Sequence, residues 1–472
     1  MGQAGRGLES GVVRLERVGI EYRFARSVGV GGVSLADVQG QAGAAERAAG
    51  AFRALVETGE SPGMDEAVLW PRLACGEGES RAAIDAWARE ARAADVLVSI
   101  GIGGSYLGNR VLRDALLGPS FNLLPREARG DVPELHFAGF HLDPQENRAL
   151  VEVLRAKAAG LGRPLRAHLL AISKSGTTTE TLATTLGLRS ALEGLPEVET
   201  ELTVLTDPTS VLARLAGSIR ETGGRANLLP FPEGMGGRWS VMSAVGLVTA
   251  AASGVDLDAL LGGARDVRDD LLAAGGDLSR NPALLYATLH HLHGQRGRTG
   301  AVFMPYAERL RCVSEWYVQL LAESLGKARD RQGREVHAGR TPIVAVGTTD
   351  MHAQTQLHQE GPRDKTVTTL DVRDWGSPTA ADRVPDDPQA GKLAGKAFSA
   401  LNTLAREANE EALASSDRPS DAFVLERLDA RTVGGLLYLL MASVSYEGEL
   451  LDVCAYDQPG VEAYKKIMKA RL

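Results

Sequence analysis

From Asp95 onward, short apolar runs rich in β-branched residues alternate with longer runs of helical period, and this alternation constrains the chain more than any other feature. It is the pattern of βαβ units, whose strands pair in parallel and whose helices cover the sheet faces. The spacing predicts strands over 96–101, 135–139, 168–173 and 202–206, separated by helices near 106–117, 144–157, 178–192 and 210–220. The alternation pauses over 239–253 and 257–272, two long helical runs with no strand between them. It then resumes with strands predicted over 301–305, 343–347, 367–372 and 422–425 and helices near 309–325, 352–360 and 391–414. A polar stretch over 374–388, rich in Gly, Pro, Asp and Ser, reads as a surface loop. Two similar α/β sandwiches in tandem, with helical ends wrapping them, account for this order.

Length and composition agree with a chain that buries a large core: 472 residues, 44% hydrophobic and 24% charged. The formal charge of −8 argues against the nucleic-acid backbone as the main partner, which needs a basic surface. Cys75, Cys312 and Cys454 are far apart and odd in number, which supports neither a disulfide framework nor a zinc cluster and suits a reducing, cytoplasmic setting. The first residues carry no apolar leader segment, and the longest apolar stretch, 433–446, falls short of the ~20 residues that span a bilayer.

Several short segments carry chemistry. Gly101-Ile102-Gly103-Gly104-Ser105 follows an apolar strand and opens a helix, where bare amides can meet an anion. It meets neither nucleotide motif: Tyr106 stands where a dinucleotide fingerprint needs glycine, and Asn109 where a phosphate-binding loop needs lysine. A tight turn that merely lets helix and strand pack closely is the plainer reading. In Ser173-Lys174-Ser175-Gly176-Thr177-Thr178-Thr179-Glu180-Thr181, hydroxyls crowd a strand-to-helix turn. One helix cap needs only one or two of them, so the surplus suits the oxygens of a phosphomonoester.

Gly236-Gly237-Arg238-Trp239-Ser240 sets an arginine at a loop-to-helix junction, with a helix expected from near Ser240; a permanently charged guanidinium there suits a developing oxyanion. Gln319 and Glu323 stand four apart and share a helical face beside Val313, Tyr317, Leu320 and Leu321, where a partly shielded carboxylate suits a general base. His352 lies near a helix N-terminus at the carboxyl end of a strand, the edge at which open α/β sheets bind ligands. His290, His291 and His293 share one helix but have no Cys or carboxylate at ligand spacing, so packing explains them better than a metal. Near the end, Tyr456-Asp457-Gln458-Pro459-Gly460-Val461-Glu462-Ala463-Tyr464-Lys465 places a Pro-Gly turn before a short amphipathic helix that carries Lys465.

Taken together, these segments resemble the glucose-6-phosphate isomerase family. The matching pieces are Gly101–Gly108, Ser173–Thr181, Gly236–Ser240, Glu323–Lys327 (ESLGK), Gly347–His352 (GTTDMH) and Tyr456–Lys465, in one order over most of the chain. The last is the most specific. The resemblance implies two tandem sugar-isomerase (SIS) α/β sandwich domains with parallel sheets, divided here as an N-terminal extension 1–60, domains 61–255 and 256–428, and a C-terminal helical segment 429–472 returning to the active site. It implies reversible isomerisation of glucose 6-phosphate to fructose 6-phosphate in glycolysis and gluconeogenesis, in the cytoplasm, by a homodimer with composite sites. Glu323 then corresponds to the base moving a proton between C2 and C1, Arg238 to the stabiliser of the cis-enediolate, and His352, from the neighbouring subunit, to ring opening with Lys465. Ser173, Ser175 and Thr178 correspond to the phosphate holders with Lys174 nearby, while Gly104, Ser105, Gly237, Gln319 and Glu180 line the sugar. The chemistry calls for no metal, nicotinamide or nucleotide.

The sequence departs from the family pattern at Trp239, at Ser175-Gly176 and at Leu325, which leaves acceptance of mannose 6-phosphate open. A dual glucose/mannose isomerase, or a non-catalytic sugar-phosphate-binding regulator on the same fold, are the alternatives. A regulator could dispense with the acid/base set, which this sequence retains.

Overall fold

A computed structural model describes residues 8–78, 81–376, 379, 380, 383 and 385–471. Part of the expected surface loop (377, 378, 381, 382 and 384) and of the N-terminus read as leaderless (1–7) lies outside the described residues. The chain forms two compact units: one is Arg72–Leu261, and the other joins the residues up to Pro71 to those from Gly262 onward.

In chain order the strands are β1 (Val12–Leu15), β2 (Ile20–Arg23), β3 (Val96–Ile100), β4 (Glu134–Ala138), β5 (Leu165–Ile172), β6 (Val198–Thr206), β7 (Ala226–Pro230), β8 (Gly300–Pro305), β9 (Lys327–Arg329), β10 (Glu335–Ala338), β11 (Thr341–Val344), β12 (Lys365–Asp374) and β13 (Ser420–Arg427). In the Arg72–Leu261 unit, five strands pair in parallel in the order β4-β3-β5-β6-β7. Val96, Leu97, Val98 and Ile100 are at most 1% exposed, because helices cover both sheet faces and a strand in that position must be apolar throughout. Each such side chain contributes about 1.5–3 kcal/mol on burial.

The other unit holds a six-stranded sheet in the order β1-β2-β13-β12-β8-β11. Its strands β8, β11, β12 and β13 are mutually parallel. Read as first, second, third and fourth strand, β3, β4, β5, β6 and β8, β11, β12, β13 pair in the same order, so the two expected sandwiches share one topology.

The segment read as an N-terminal extension holds helices Leu35–Gly40 and Ala42–Thr58, as a helical end should, but it opens with sheet: β1 and β2 form an antiparallel hairpin, and β2 pairs with β13. The hairpin thus belongs to the sheet of the unit that also holds the residues from Gly262 onward. The run over 239–253 is also broken. A 3₁₀ turn, Gly237–Trp239, ends at Ser240, and the helix Ala244–Ala252 starts only after Ser243, whose hydroxyl accepts from the Val245 amide. The expected helix over 352–360 is a 3₁₀ turn, Thr349–His352, followed by Thr355–Glu360, and that over 391–414 runs as Phe398–Ser415. Over 429–472, helices Ala430–Leu450 and Glu462–Lys469 form as expected. No helix among the described residues is long and apolar enough to cross a membrane.

The hairpin is fastened by charge. Burial alone would raise the Glu21 carboxyl, but hydrogen bonds from Arg14, Arg373 and Arg23 outweigh it and hold the group at about 2, below its ordinary 4.5. A group depressed in the fold lends stability that is full above its unfolded value and is lost as pH falls through the folded one. Urea midpoints are therefore expected to fall more steeply between pH 5 and pH 2.5 in the wild type than in Glu21→Gln, and parallel curves would exclude this carboxylate as the cause.

Candidate active site

In the Arg72–Leu261 unit the connection from β3 leads to β4 on one side, whereas that from β5 leads to β6 on the other. Loops leaving the carboxyl ends of two such neighbouring strands diverge and leave a crevice, the usual ligand position in an open α/β sheet. Gly101–Ser105 leaves β3 there, and Ser173–Thr178 leaves β5.

Gly103, at φ 56° and ψ −126°, starts the helix Gly104–Leu116 with no side-chain cap. A Cβ on Gly104 would lie 1.9 Å from the carbonyl oxygen of Gly237 and 2.7 Å from the amide nitrogen of Arg238. Glycine at 104 is thus needed for close packing, although against the Gly236–Ser240 turn and not between helix and strand as expected, and the packing has a consequence. It clamps the Gly236–Ser240 turn onto the β3 turn and brings two separate motifs together. Ser240 tightens that turn by donating its hydroxyl to the Gly237 carbonyl at 2.7 Å. Arg238 is only 2% exposed, so its charge acts where water screens it little.

At the end of β5, the hydroxyls of buried Ser173 and of Thr178 lie 3.0 Å apart, and those of Ser175 and Thr177 also 3.0 Å apart. Thr178 is the N-cap of the helix Thr179–Glu193 yet makes no side-chain cap bond, because its hydroxyl is turned to Ser173. The first-turn amides, left without that cap, form the positive end of the helix dipole. Glu180 stands in the same first turn, half-buried, and Lys174 is exposed. The Asp207 amide donates to the Lys174 carbonyl at 3.1 Å. Its carboxyl is held below the usual range first by the Thr209 hydroxyl, with the Thr209 amide and Lys174 adding to the effect. Gly176 has φ +64°, and a Cβ there would meet Ser210 at 2.6 Å, which accounts for glycine at this departure from the family pattern.

In the other unit, the helix Arg311–Leu325 follows β8 and buries Val313, Tyr317, Leu320 and Leu321 as expected. Gln319 and Glu323 lie half-buried on its adjoining face, with Gln319 Nε2 donating to Glu323 Oε1 at 3.2 Å. Gln319 Oε1 is buried and has no partner among the described residues.

His352 is exposed at the end of a turn after β11, where the Val346 amide donates to Asp350 Oδ2 at 2.6 Å and the Asp350 amide to the Val346 carbonyl at 2.7 Å. A Cβ on Gly347 would strike the Tyr306 ring at 2.5 Å, so glycine is required at the start of this turn. Lys465, half-buried, donates to Glu462 Oε1 at 3.0 Å on the last helix.

The nine residues expected from 104 to 238 therefore belong to one unit and gather at its crevice or on the turn clamped to it. Gln319 and Glu323 pair in the second unit, while His352 and Lys465 stand on separate elements of it. Lys327, the last residue of the Glu323–Lys327 motif, stands four positions after Glu323 and opens β9 just past the helix end. The histidines are packed: His290 Nε2 faces Asp421 Oδ2 at 3.1 Å, and His293 Nε2 faces Ser27 Oγ at 3.1 Å.

The sequence matches the family described as phosphoglucose isomerase over residues 84–369. It is 37% identical over 401 residues to the glucose-6-phosphate isomerase of Carboxydothermus hydrogenoformans, covering 84% of this chain and 82% of that protein. It is 39% identical over 385 residues to that of Rubrobacter xylanophilus, covering 79% and 82%. The fold is similar to a glucose-6-phosphate isomerase from Chlamydia trachomatis, with TM-score 0.79 and 21% identity over 99% of this chain and 90% of that one.

Because the atoms a Cβ at Gly104 would strike are backbone, they cannot swing aside. Gly104→Ala is expected to cost at least the ~1–3 kcal/mol of an overpacked core, and to lower the thermal midpoint by several degrees. Gly160→Ala, in a helix with open space around it, is expected to leave the midpoint unchanged or raise it. Equal midpoints for the two variants would show that the Gly236–Ser240 turn is not clamped.

Proposed function

The chain belongs to the phosphoglucose isomerase family, and on that premise we propose how its residues divide the conversion of D-glucose 6-phosphate into D-fructose 6-phosphate. The reaction opens the sugar ring, removes a proton from C2, passes through a cis-enediolate and returns the proton to C1. It needs an acid and a base at the ring oxygen and O1, one carboxylate over C1 and C2, and a fixed cation near their oxygens.

The observation that carries the assignment is the convergence of three motifs at one crevice: the β3 turn, the hydroxyl-rich β5 turn and the clamped Arg238 turn. Ser173, Ser175, Thr178 and the uncapped first-turn amides hold the phosphate, with Lys174 beside them. Gly104, Ser105, Gly237 and Glu180 line the sugar. Remote phosphate binding fixes the reacting carbons and supplies energy that the chemical step draws on. Arg238 stabilises the enediolate, for its guanidinium cannot lose its proton and is buried where it needs no reorganisation.

Glu323 is the base. Gln319 Nε2 donates to one of its oxygens and orients the carboxylate, while Gln319 Oε1, buried with no partner among the described residues, accepts from a sugar hydroxyl. His352 and Lys465 carry out ring opening. The exposure of His352 suits a residue that serves the site of a neighbouring copy, and the enzyme works as a homodimer in the cytoplasm, its three cysteines present as thiols. The interconversion serves both glycolysis and gluconeogenesis.

Turnover of fructose 6-phosphate, coupled to glucose-6-phosphate dehydrogenase, is expected to survive a chelator and to fall at least ~100-fold in Glu323→Gln, the usual scale for a lost acid/base group. A folded Glu323→Gln variant with near wild-type turnover would remove Glu323 from this role. Mixing Glu323→Gln with His352→Ala chains tests the shared site: each heterodimer regains one intact site of two if His352 crosses, and none if sites are self-contained.

A further inference from the structure

One buried cation in the proton-transferring unit has no part in the chemistry above. Lys327 opens β9 immediately after the helix that carries Glu323, and its side chain is only 5% exposed. Its ammonium donates to the main-chain carbonyl of Glu323 at 2.6 Å, to that of Ser324 at 2.9 Å and to that of Asp457 at 3.0 Å. The Asp457 carboxylate lies 3.4 Å away and supplies the counter-charge.

Three donors on a compact head therefore converge on three carbonyl oxygens, a geometry that a planar guanidinium fork does not reproduce. Two of those carbonyls belong to the last turn of the helix Arg311–Leu325, where oxygens lack intrahelical partners and the dipole is negative. One is the carbonyl of the base itself. The third belongs to the second residue of the Tyr-Asp-Gln-Pro-Gly run, eight positions before Lys465.

We propose that Lys327 is a positioning residue that ties the backbone of the base, Glu323, to the segment leading to Lys465, so that one ammonium sets where both groups begin. This rests on the reading of Glu323 as the base. Lys327 reaches three backbone oxygens and the Asp457 carboxylate, and it acts through the placement of others. Its loss changes the alignment of the proton-transfer step more than the binding of the phosphate, and a displacement of about 1 Å suffices for a large effect on rate.

The experiment compares wild type, Lys327→Met, Lys327→Gln, Glu323→Gln and the double variant Lys327→Met/Glu323→Gln, with fructose 6-phosphate as the probe. Lys327→Met is expected to lower kcat at least ~10-fold with KM within about threefold, and Lys327→Gln, which keeps two donors, to fall between it and wild type. In the Glu323→Gln background the further loss is expected to shrink below about twofold, because there is no longer a base to misplace. General loosening of the fold would instead raise KM and persist in that background. Should Lys327→Met not fold, Lys327→Gln decides: kcat within twofold of wild type overturns the proposal. Turnover lost in Glu323→Gln but intact in both folded Lys327 variants overturns this inference alone. An inactive wild type, or a fully active Glu323→Gln, overturns the base assignment and this inference with it.

Discussion

Everything in the Arg72–Leu261 unit follows from the parallel pairing of β3 with β5 while their connections run to opposite sides of the sheet. That constraint forces two loops apart at one edge, and no other edge of the sheet has two divergent strand ends side by side. The residues that end those strands are then the ones that can meet a ligand with backbone amides, which is why glycines and hydroxyls cluster there and long apolar side chains do not. The second unit repeats the arrangement with β8 and β12, yet its candidate residues Gln319 and Glu323 stand on the helix after β8 instead of on the turn that precedes it.

Glycine converts that topology into a site. The contact between Gly104 and Gly237 replaces side chain with backbone at 1.9 Å from where a Cβ would lie, and Gly108 repeats the approach against Val241. Gly246 continues it, with the Val241 carbonyl oxygen 1.9 Å from where a Cβ would lie. A helix, a 3₁₀ turn and a following helix are thus packed closer than any larger residues allow, and the buried Arg238 is carried on the middle piece. Burying a guanidinium is costly unless its surroundings are fixed, so the rigidity of the turn and the burial of the charge depend on each other.

These relations were unequally legible in the sequence. The central strands were readable because double-sided burial makes them apolar without interruption, as in Val96-Leu97-Val98 and Leu169-Leu170-Ala171-Ile172. The hairpin over residues 12–23 was not read as sheet, since its polar positions, Arg14, Glu21 and Arg23, are engaged with one another and only the fold shows Glu21 enclosed by three arginines. Strand β7 hides within Ala226-Asn227-Leu228-Leu229-Pro230, a run too short and too near proline to stand out. The helix predicted across 239–253 failed for a local reason: Ser240 and Ser243 turn their hydroxyls to backbone, as short polar side chains do when they compete with a helix. Candidate site residues could be named by motif, but a motif says nothing about which carbonyls a lysine will find.

The placement of Lys465 illustrates how far from a candidate site residue its position is decided. The helix Ala430–Leu450 is buried from Thr432 to Gly448, and within it Glu447 receives Arg340 through two bonds of 2.7 Å, both side chains at most 4% exposed. Breaking such a pair costs roughly 3–5 kcal/mol, since the remaining charge stays buried without a partner. Arg340 also reaches His290 Nδ1 at 3.2 Å, and His290 in turn reaches Asp421 on β13, so the helix is bolted to the sheet by ionisable groups deep in the unit. From this anchored helix the chain leaves through Val453 and Tyr456, both buried, and arrives at Asp457 where Lys327 holds its carbonyl. Only seven residues then lie between that fixed point and a half-buried amine, and a 3₁₀ turn with proline occupies three of them. The short tether limits the reach of Lys465 by geometry alone, which is how a terminal helix with few buried side chains can still deliver one group to a defined place.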